Sequence, residues 1–182
     1  MALTLLVGAA RSGKSQIAAR MASAWAGPVA VIATGEPRDE EMAARIARHR
    51  AVRPPEWRTV EEPIEVAAAI AASASEEFVI VDCVTLWVSN LLERDVEPRD
   101  VEARAEEAGK VAGAHAAPVV VVSNEVGAGI VPMHPETRAY RDLMGSVNAI
   151  LARAAERTVL TVAGRVLRLD DPEGVIGDVS RG

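Results

Sequence analysis

Gly8-Ala9-Ala10-Arg11-Ser12-Gly13-Lys14-Ser15 follows the apolar run Leu3-Thr4-Leu5-Leu6-Val7 and leads into an alanine-rich helical pattern over residues 16 to 26. The spacing fits G-x-x-x-x-G-K-[ST] between a strand and a helix, the context a phosphate-binding loop requires. Glycines at 8 and 13 let successive backbone N–H groups face one anion, and the helix start adds its positive dipole end. In such a loop Lys14 reaches the β- and γ-phosphates and the Ser15 hydroxyl holds Mg²⁺. Of 20 Lys and Arg residues, only Lys14 and Lys110 are lysines. A chain that otherwise writes its positive charge as arginine places a compact ammonium here, where a guanidinium would not fit.

At 182 residues the chain reads as one domain over residues 1–169, with residues 170–182 a flexible acidic tail. Aromatic residues make up 3% against 49% hydrophobic, so the core must be aliphatic. A net charge of −6 argues against a nucleic-acid or membrane-surface partner, since either needs a basic face. The lone cysteine, Cys83, permits no internal disulfide and reads as a small buried hydrophobe at a strand end, in keeping with a reducing compartment. With no basic leader and no apolar run near the ~20 residues that span a bilayer, the expected location is the cytoplasm.

Beyond the loop, strands are expected at residues 29–33, 78–81 and 118–122, with helices between them. Asp39 offers an N-cap for a helix to about Arg50 that puts Met42, Arg45, Ile46 and His49 on one face. Glu61-Glu62-Pro63 reads as the start of a further helix, and residues 140–156 as the last long one. Residues 158–163 and 166–169 suit an antiparallel hairpin. The alternation implies an α/β, doubly wound, mostly parallel sheet with the nucleotide at the carboxyl ends of its strands, so Thr34-Gly35-Glu36 should lie beside the phosphate loop. Asp82 ends an apolar strand, where a Walker B carboxylate would hold Mg²⁺ together with Ser15. The glycine-containing loop from Ser123 to Pro132 lies at the same edge, as a ligand loop or a plain turn.

Phosphate binding leaves several classes open. A switch GTPase would show D-x-x-G after the strand, but Asp82 is followed by Cys83-Val84-Thr85, and N-K-x-D is absent after Ser123. The informative stretch is Arg45-Ile46-Ala47-Arg48-His49-Arg50-Ala51-Val52-Arg53-Pro54, one histidine among four arginines. It suits a solvated basic face and, equally, a site where arginines neutralise a triphosphate while neutral imidazole attacks phosphorus.

The blocks GAARSGKS, IATGEPRDEEMAARIARHRAVRPPEWRTVE, VDCVTLWVSNLL, SNEVGAGIVP and RAYRDLMGSVN, in that order over about residues 3 to 165, resemble the bifunctional adenosylcobinamide kinase/adenosylcobinamide-phosphate guanylyltransferase family. The resemblance implies a RecA-like three-layer P-loop sandwich, a homotrimer and two reactions. One phosphorylates the aminopropanol hydroxyl of adenosylcobinamide with ATP or GTP. The other transfers GMP from GTP to adenosylcobinamide phosphate through a GMP-histidine intermediate. By position it makes His49, in H-x-x-x-R-P, the guanylylated residue. It makes Gly8, Ala9, Ala10, Arg11, Ser12, Gly13, Lys14, Ser15, Thr34, Gly35, Glu36, Arg50, Ala51, Val52, Arg53, Glu61 and Asp82 the nucleotide-contacting ones. The chain departs from the family at Ala9, where a second glycine is frequent, and at Ala149, where glutamine is. The competing readings are a P-loop kinase of another small alcohol, with His49 structural, and a nucleotide-gated binding module without catalysis.

Overall fold

The computed structural model describes residues 3–172, over which seven strands and six helices alternate. Strands β1 (Leu3–Val7), β2 (Val29–Ala33), β4 (Phe78–Asp82) and β5 (Val119–Val122) are short aliphatic runs, nearly every residue buried, as strands covered on both faces must be. With β3 (Arg58–Glu61), β6 (Arg157–Val162) and β7 (Arg165–Leu169) they form one sheet in the order β3-β2-β4-β5-β1-β6-β7. Every neighbouring pair is parallel except β6 and β7, the expected terminal hairpin.

Period-two alternation along each strand divides the core between the two faces. Leu3, Leu5, Ile32, Val79, Val81, Val119 and Val121 point toward α3 (Val66–Ala71), α4 (Val84–Leu92), α5 (Pro98–Ala114) and α6 (Pro135–Ala154). On the opposite face Leu6, Val31, Ile80, Val120 and Val122 pack on Ala18 and Ala22 of α1 (Lys14–Ser23). The result is the three-layer α/β sandwich that the sequence implied. α2 (Glu40–Ala51) belongs to neither layer, because none of its residues is buried.

Several boundaries differ from expectation. Residues 58–61 are a strand, not the approach to a helix: Thr59 and Val60 are β-branched and pair with Val31 and Ile32. Glu61 therefore ends β3. The next carboxylate makes the turn, Glu62 Oε1 accepting from the Ile64 and Glu65 amides at 2.9 and 2.8 Å, which delays α3 to Val66. α6 begins at Pro135, five residues earlier than its apolar stripe suggested, since proline is well placed at a first helical position. β4 and β5 stand between β2 and β1, so Thr34 adjoins the end of β4 and not the phosphate loop. Of the segment read as a tail, residues 173–182 lie outside the described residues.

Candidate functional site

The carboxyl ends of β1, β2, β4 and β5 gather the chemistry at one edge of the sheet. After β1 the chain turns through residues 8–13, closed by the Ser12 amide donating to Ala9 O at 3.2 Å. Gly13, at φ 102°, occupies a left-handed conformation that a side chain would strain, and it caps α1. A β-carbon on Gly8 would stand 2.3 Å from Thr161 O, so only glycine lets β6 approach this closely. The tip of the β6–β7 hairpin reinforces the loop, Gly164 N donating to Ser12 O at 2.8 Å. On the other side Glu125 N donates to Gly8 O at 3.1 Å.

Lys14 is buried, and its Nζ donates to Gly8 O and Ala9 O, both at 2.8 Å. Burial pushes its pKa below the ordinary lysine value, while Cys83 and Asp82 nearby pull it back up. Ser15 is exposed in the first turn of α1, and Ala9, Ala10 and Arg11 are exposed along the loop.

Two strands along the sheet, Asp82 meets residues that arrive from α2. Arg53 Nη2 donates to Asp82 Oδ2 at 3.1 Å, and His49 Nδ1 lies 3.9 Å from the same oxygen. Burial alone would raise the Asp82 pKa. The facing His49 and Arg53 outweigh it and hold the carboxyl below the ordinary aspartate range, so the group stays ionised. α2 reaches this point because Asp39 caps it, its side chain accepting from Met42 N at 2.7 Å, and because His49 falls in its last turn. Arg50 pairs with Glu61 at the end of β3, Nη1 to Oε1 3.2 Å. Ala51 and Val52 end the helix without burying anything, Val52 being 83% exposed.

Thr34 is wholly buried and serves the backbone: its Oγ1 accepts from Cys83 N at 2.8 Å and donates to Cys83 O at 2.7 Å. Gly35 packs beside Ile46 of α2. Glu36 is tied to two arginines, Arg94 donating to both oxygens and Arg38 to one. Those bonds, Arg94 first and then Arg38, hold its carboxyl at about 2. The structure thus unites His49, Arg53 and Asp82, pairs Arg50 with Glu61, and gives Thr34 and Glu36 scaffold contacts.

Sequence reasoning missed the residues that set this scaffold. Asn90, buried on α4, donates to Thr34 O at 2.7 Å and Pro63 O at 3.1 Å while accepting from Arg38 at 2.6 Å. Near Cys83, Asn124 donates to Thr85 Oγ1 at 2.7 Å and Tyr140 OH to Thr85 O at 2.9 Å. An amide side chain inside the mostly apolar α4 was the available signal for Asn90, since a buried amide must find partners.

Among the described residues no group of three or more His, Cys, Asp or Glu side chains could hold a metal. The Ser15 hydroxyl and the ionised Asp82 carboxylate are nevertheless hard oxygen donors at the nucleotide edge. Mg²⁺ takes such a sparse set when phosphate oxygens and water complete its shell, so the residues present fit that ion. No helix of the described residues is long and apolar enough to cross a membrane.

A family model described as cobinamide kinase / cobinamide phosphate guanyltransferase matches residues 4–169. The bifunctional adenosylcobalamin biosynthesis protein CobP of Pseudomonas aeruginosa is 42% identical over 161 residues, covering 88% of this chain and 92% of the relative. The proteins named CobU from Escherichia coli and Salmonella typhimurium are 42% and 39% identical over 178 and 175 residues, each covering 89% of this chain and 96% of the relative. Among solved structures, an ATPase domain superposes with a TM-score of 0.48 at 11% identity, covering 87% of this chain and 68% of that one.

Proposed function

The chain belongs to the cobinamide kinase/cobinamide phosphate guanyltransferase family, and from that premise we propose that it phosphorylates the aminopropanol hydroxyl of adenosylcobinamide and then transfers GMP from GTP to the product through a GMP carried on His49. The observation that carries this reading is the convergence of His49 and Arg53 on Asp82, at the same sheet edge as the loop bearing Lys14.

In the first reaction the N–H groups of residues 8–15 and the Lys14 ammonium bind and neutralise the triphosphate of ATP or GTP. The acceptor hydroxyl attacks the γ-phosphorus, loses its proton, and the nucleoside diphosphate leaves. In the second, imidazole attacks the α-phosphorus of GTP, a nitrogen–phosphorus bond forms, and pyrophosphate departs. With Nδ1 turned to Asp82, Nε2 is the nitrogen left for that bond, and the carboxylate stabilises the positive charge the ring acquires. An oxygen of adenosylcobinamide phosphate then attacks the same phosphorus, the nitrogen–phosphorus bond breaks, and free imidazole returns. Arg50 and Arg53 suit the phosphate oxygens through their planar forks. Mg²⁺, held by Ser15 and Asp82, would supply charge neutralisation at the phosphates when bound.

We assign the protein to the cytoplasm and to a homotrimer. The assembly is supported by β7, an edge strand exposed at every residue, with Val166 and Leu167 presenting apolar surface. The deciding test is labelling with α-labelled GTP in the absence of acceptor. The protein should take up label that is labile to acid and stable to alkali, as a phosphoramidate is, and take none from γ-labelled GTP. His49→Ala should abolish labelling and guanylyl transfer while leaving phosphorylation of adenosylcobinamide measurable. Label retained by His49→Ala would move the assignment to a plain P-loop kinase.

A further inference from the structure

Val126-Gly127-Ala128-Gly129-Ile130-Val131-Pro132-Met133 is a run of uncharged residues in a chain whose residues are 25% charged. It joins β5 to α6 and starts beside the phosphate loop, because Glu125, the residue before it, donates its amide to Gly8 O at 3.1 Å. Val126 still packs on the core, but the apolar side chains beyond it turn outward: Ile130 is 97% exposed, Met133 91% and Val131 61%. Nor is the segment free to fold inward. Glu125 Oε1 accepts from Gly127 N at 2.6 Å, and Arg138 Nη1 donates to Pro132 O and Met133 O at 3.0 and 2.7 Å, pinning both ends from beneath. A β-carbon on Gly129 would meet nothing within 4 Å, so the surface between the pins is open as well as apolar.

We propose that residues 127–133 form the platform on which the corrin ring of the acceptor rests during both transfers. The inference rests on the family reading above, which makes the acceptor a corrinoid. That molecule carries a reactive hydroxyl or phosphate at the end of a side arm and a broad conjugated ring at the other. The segment has the same polarity along its length, with Asn124 and Glu125 at the phosphate loop and Ile130, Val131 and Met133 farther out. Ile130 is five positions beyond Glu125, at most about 18 Å away along the chain, so the apolar part stays on the phosphate-loop side of the molecule. A second copy of the chain is the less suited occupant here. The unpaired backbone edge that favours chain association is on β7, across β1 and β6 from this segment.

The test compares wild type with the double variant Ile130→Ser/Met133→Ser and the apolar control Ile130→Leu/Met133→Leu. Direct binding of cobinamide is read by equilibrium dialysis against its own visible absorbance. KM for adenosylcobinamide phosphate and for GTP is measured alongside. Loss of two apolar contacts should weaken cobinamide binding and raise the acceptor KM roughly tenfold or more in the serine variant. KM for GTP, labelling from α-labelled GTP and the sedimenting mass should hold, and the leucine variant should behave as wild type. Unchanged cobinamide binding in the serine variant would overturn the proposal. So would a fall in sedimenting mass, which would make the segment a contact between copies. Absence of label in wild type would count against the His49 reading and leave the dialysis result to decide this one.

Discussion

Arg53 Nη2 stands 3.1 Å from Asp82 Oδ2, and this contact fastens the C-terminal end of α2 to the sheet edge. No α2 residue is fully buried, so its placement relies on that pair, the Arg50–Glu61 pair, the packing of Ile46 beside Gly35 and the stalk of residues 34–39. Arg53→Ala should cost about 1.5–3 kcal/mol of local stability, the range for a hydrogen bond between charged groups. Hydrogen exchange of the amides over residues 44–52 should accelerate, while those of β4 and β5 keep their protection. Equal protection of α2 in the variant would show that the helix is held by something else.

Asp82→Asn keeps the shape of the side chain and removes its charge. The Mg²⁺ concentration for half-maximal kinase rate should rise and kcat should fall, because the proposed Mg²⁺ site loses its anionic ligand. Labelling of His49 should fall as well, since the same carboxylate faces Nδ1. A metal titration unchanged from wild type would reduce Asp82 to a strand terminator that anchors Arg53.

Lys14→Ala removes the ammonium to which the proposed mechanism gives the triphosphate in both reactions. Each kcat should drop by about 10²–10³, the scale for deleting one charge-stabilising donor from a site. Normal rates in either assay at saturating nucleotide would contradict the shared use of one phosphate loop.

Gly8→Ala tests the approach of β6. The new carbon would meet Thr161 O at 2.3 Å and Ser12 Oγ at 2.8 Å, and the carbonyl belongs to a residue fixed in the pairing of β6 with β7. Destabilisation of about 1–3 kcal/mol is expected, with weakened nucleotide binding, and thermal melting with and without GTP measures both.

The Glu36 carboxyl is held at about 2 against an ordinary 4.5. A depressed pKa makes its contribution to stability complete above 4.5 and progressively lost as pH falls toward 2. The Tm gap between wild type and Glu36→Gln should therefore be largest near neutrality and close as the medium is acidified through that window. A gap that widened on acidification would mean that the pairs with Arg38 and Arg94 do not favour the ionised form.

The parts most readily read from sequence were those governed by local pattern. Leu3-Thr4-Leu5-Leu6-Val7 and Val119-Val120-Val121-Val122 are continuous apolar runs, Asp39 is a cap ahead of a helical face, and the glycine spacing of the phosphate loop has few other uses. Glu61 misled because Glu-Glu-Pro is a fair helix start, and only pairing with Val31 and Ile32 made the residues before it a strand. Strand order was beyond the reach of local pattern, so Thr34 was expected beside a loop from which β4 and β5 separate it. The same limit hid Asn90, whose partners Thr34, Pro63 and Arg38 are distant in sequence and converge only when the chain folds.

A helix with no fully buried residue adds little to the heat capacity or denaturant sensitivity of unfolding, because both scale with the surface newly exposed. Detachment of α2 from the sheet would consequently be nearly silent in calorimetry and in a global denaturation curve. Guanylyl transfer, which in the proposed mechanism needs His49 at the nucleotide, would be lost at lower temperature or denaturant than the fold itself. Thermal inactivation of the transferase and melting of the protein are then two separate transitions, with inactivation the earlier, and only the later one reports the aliphatic core.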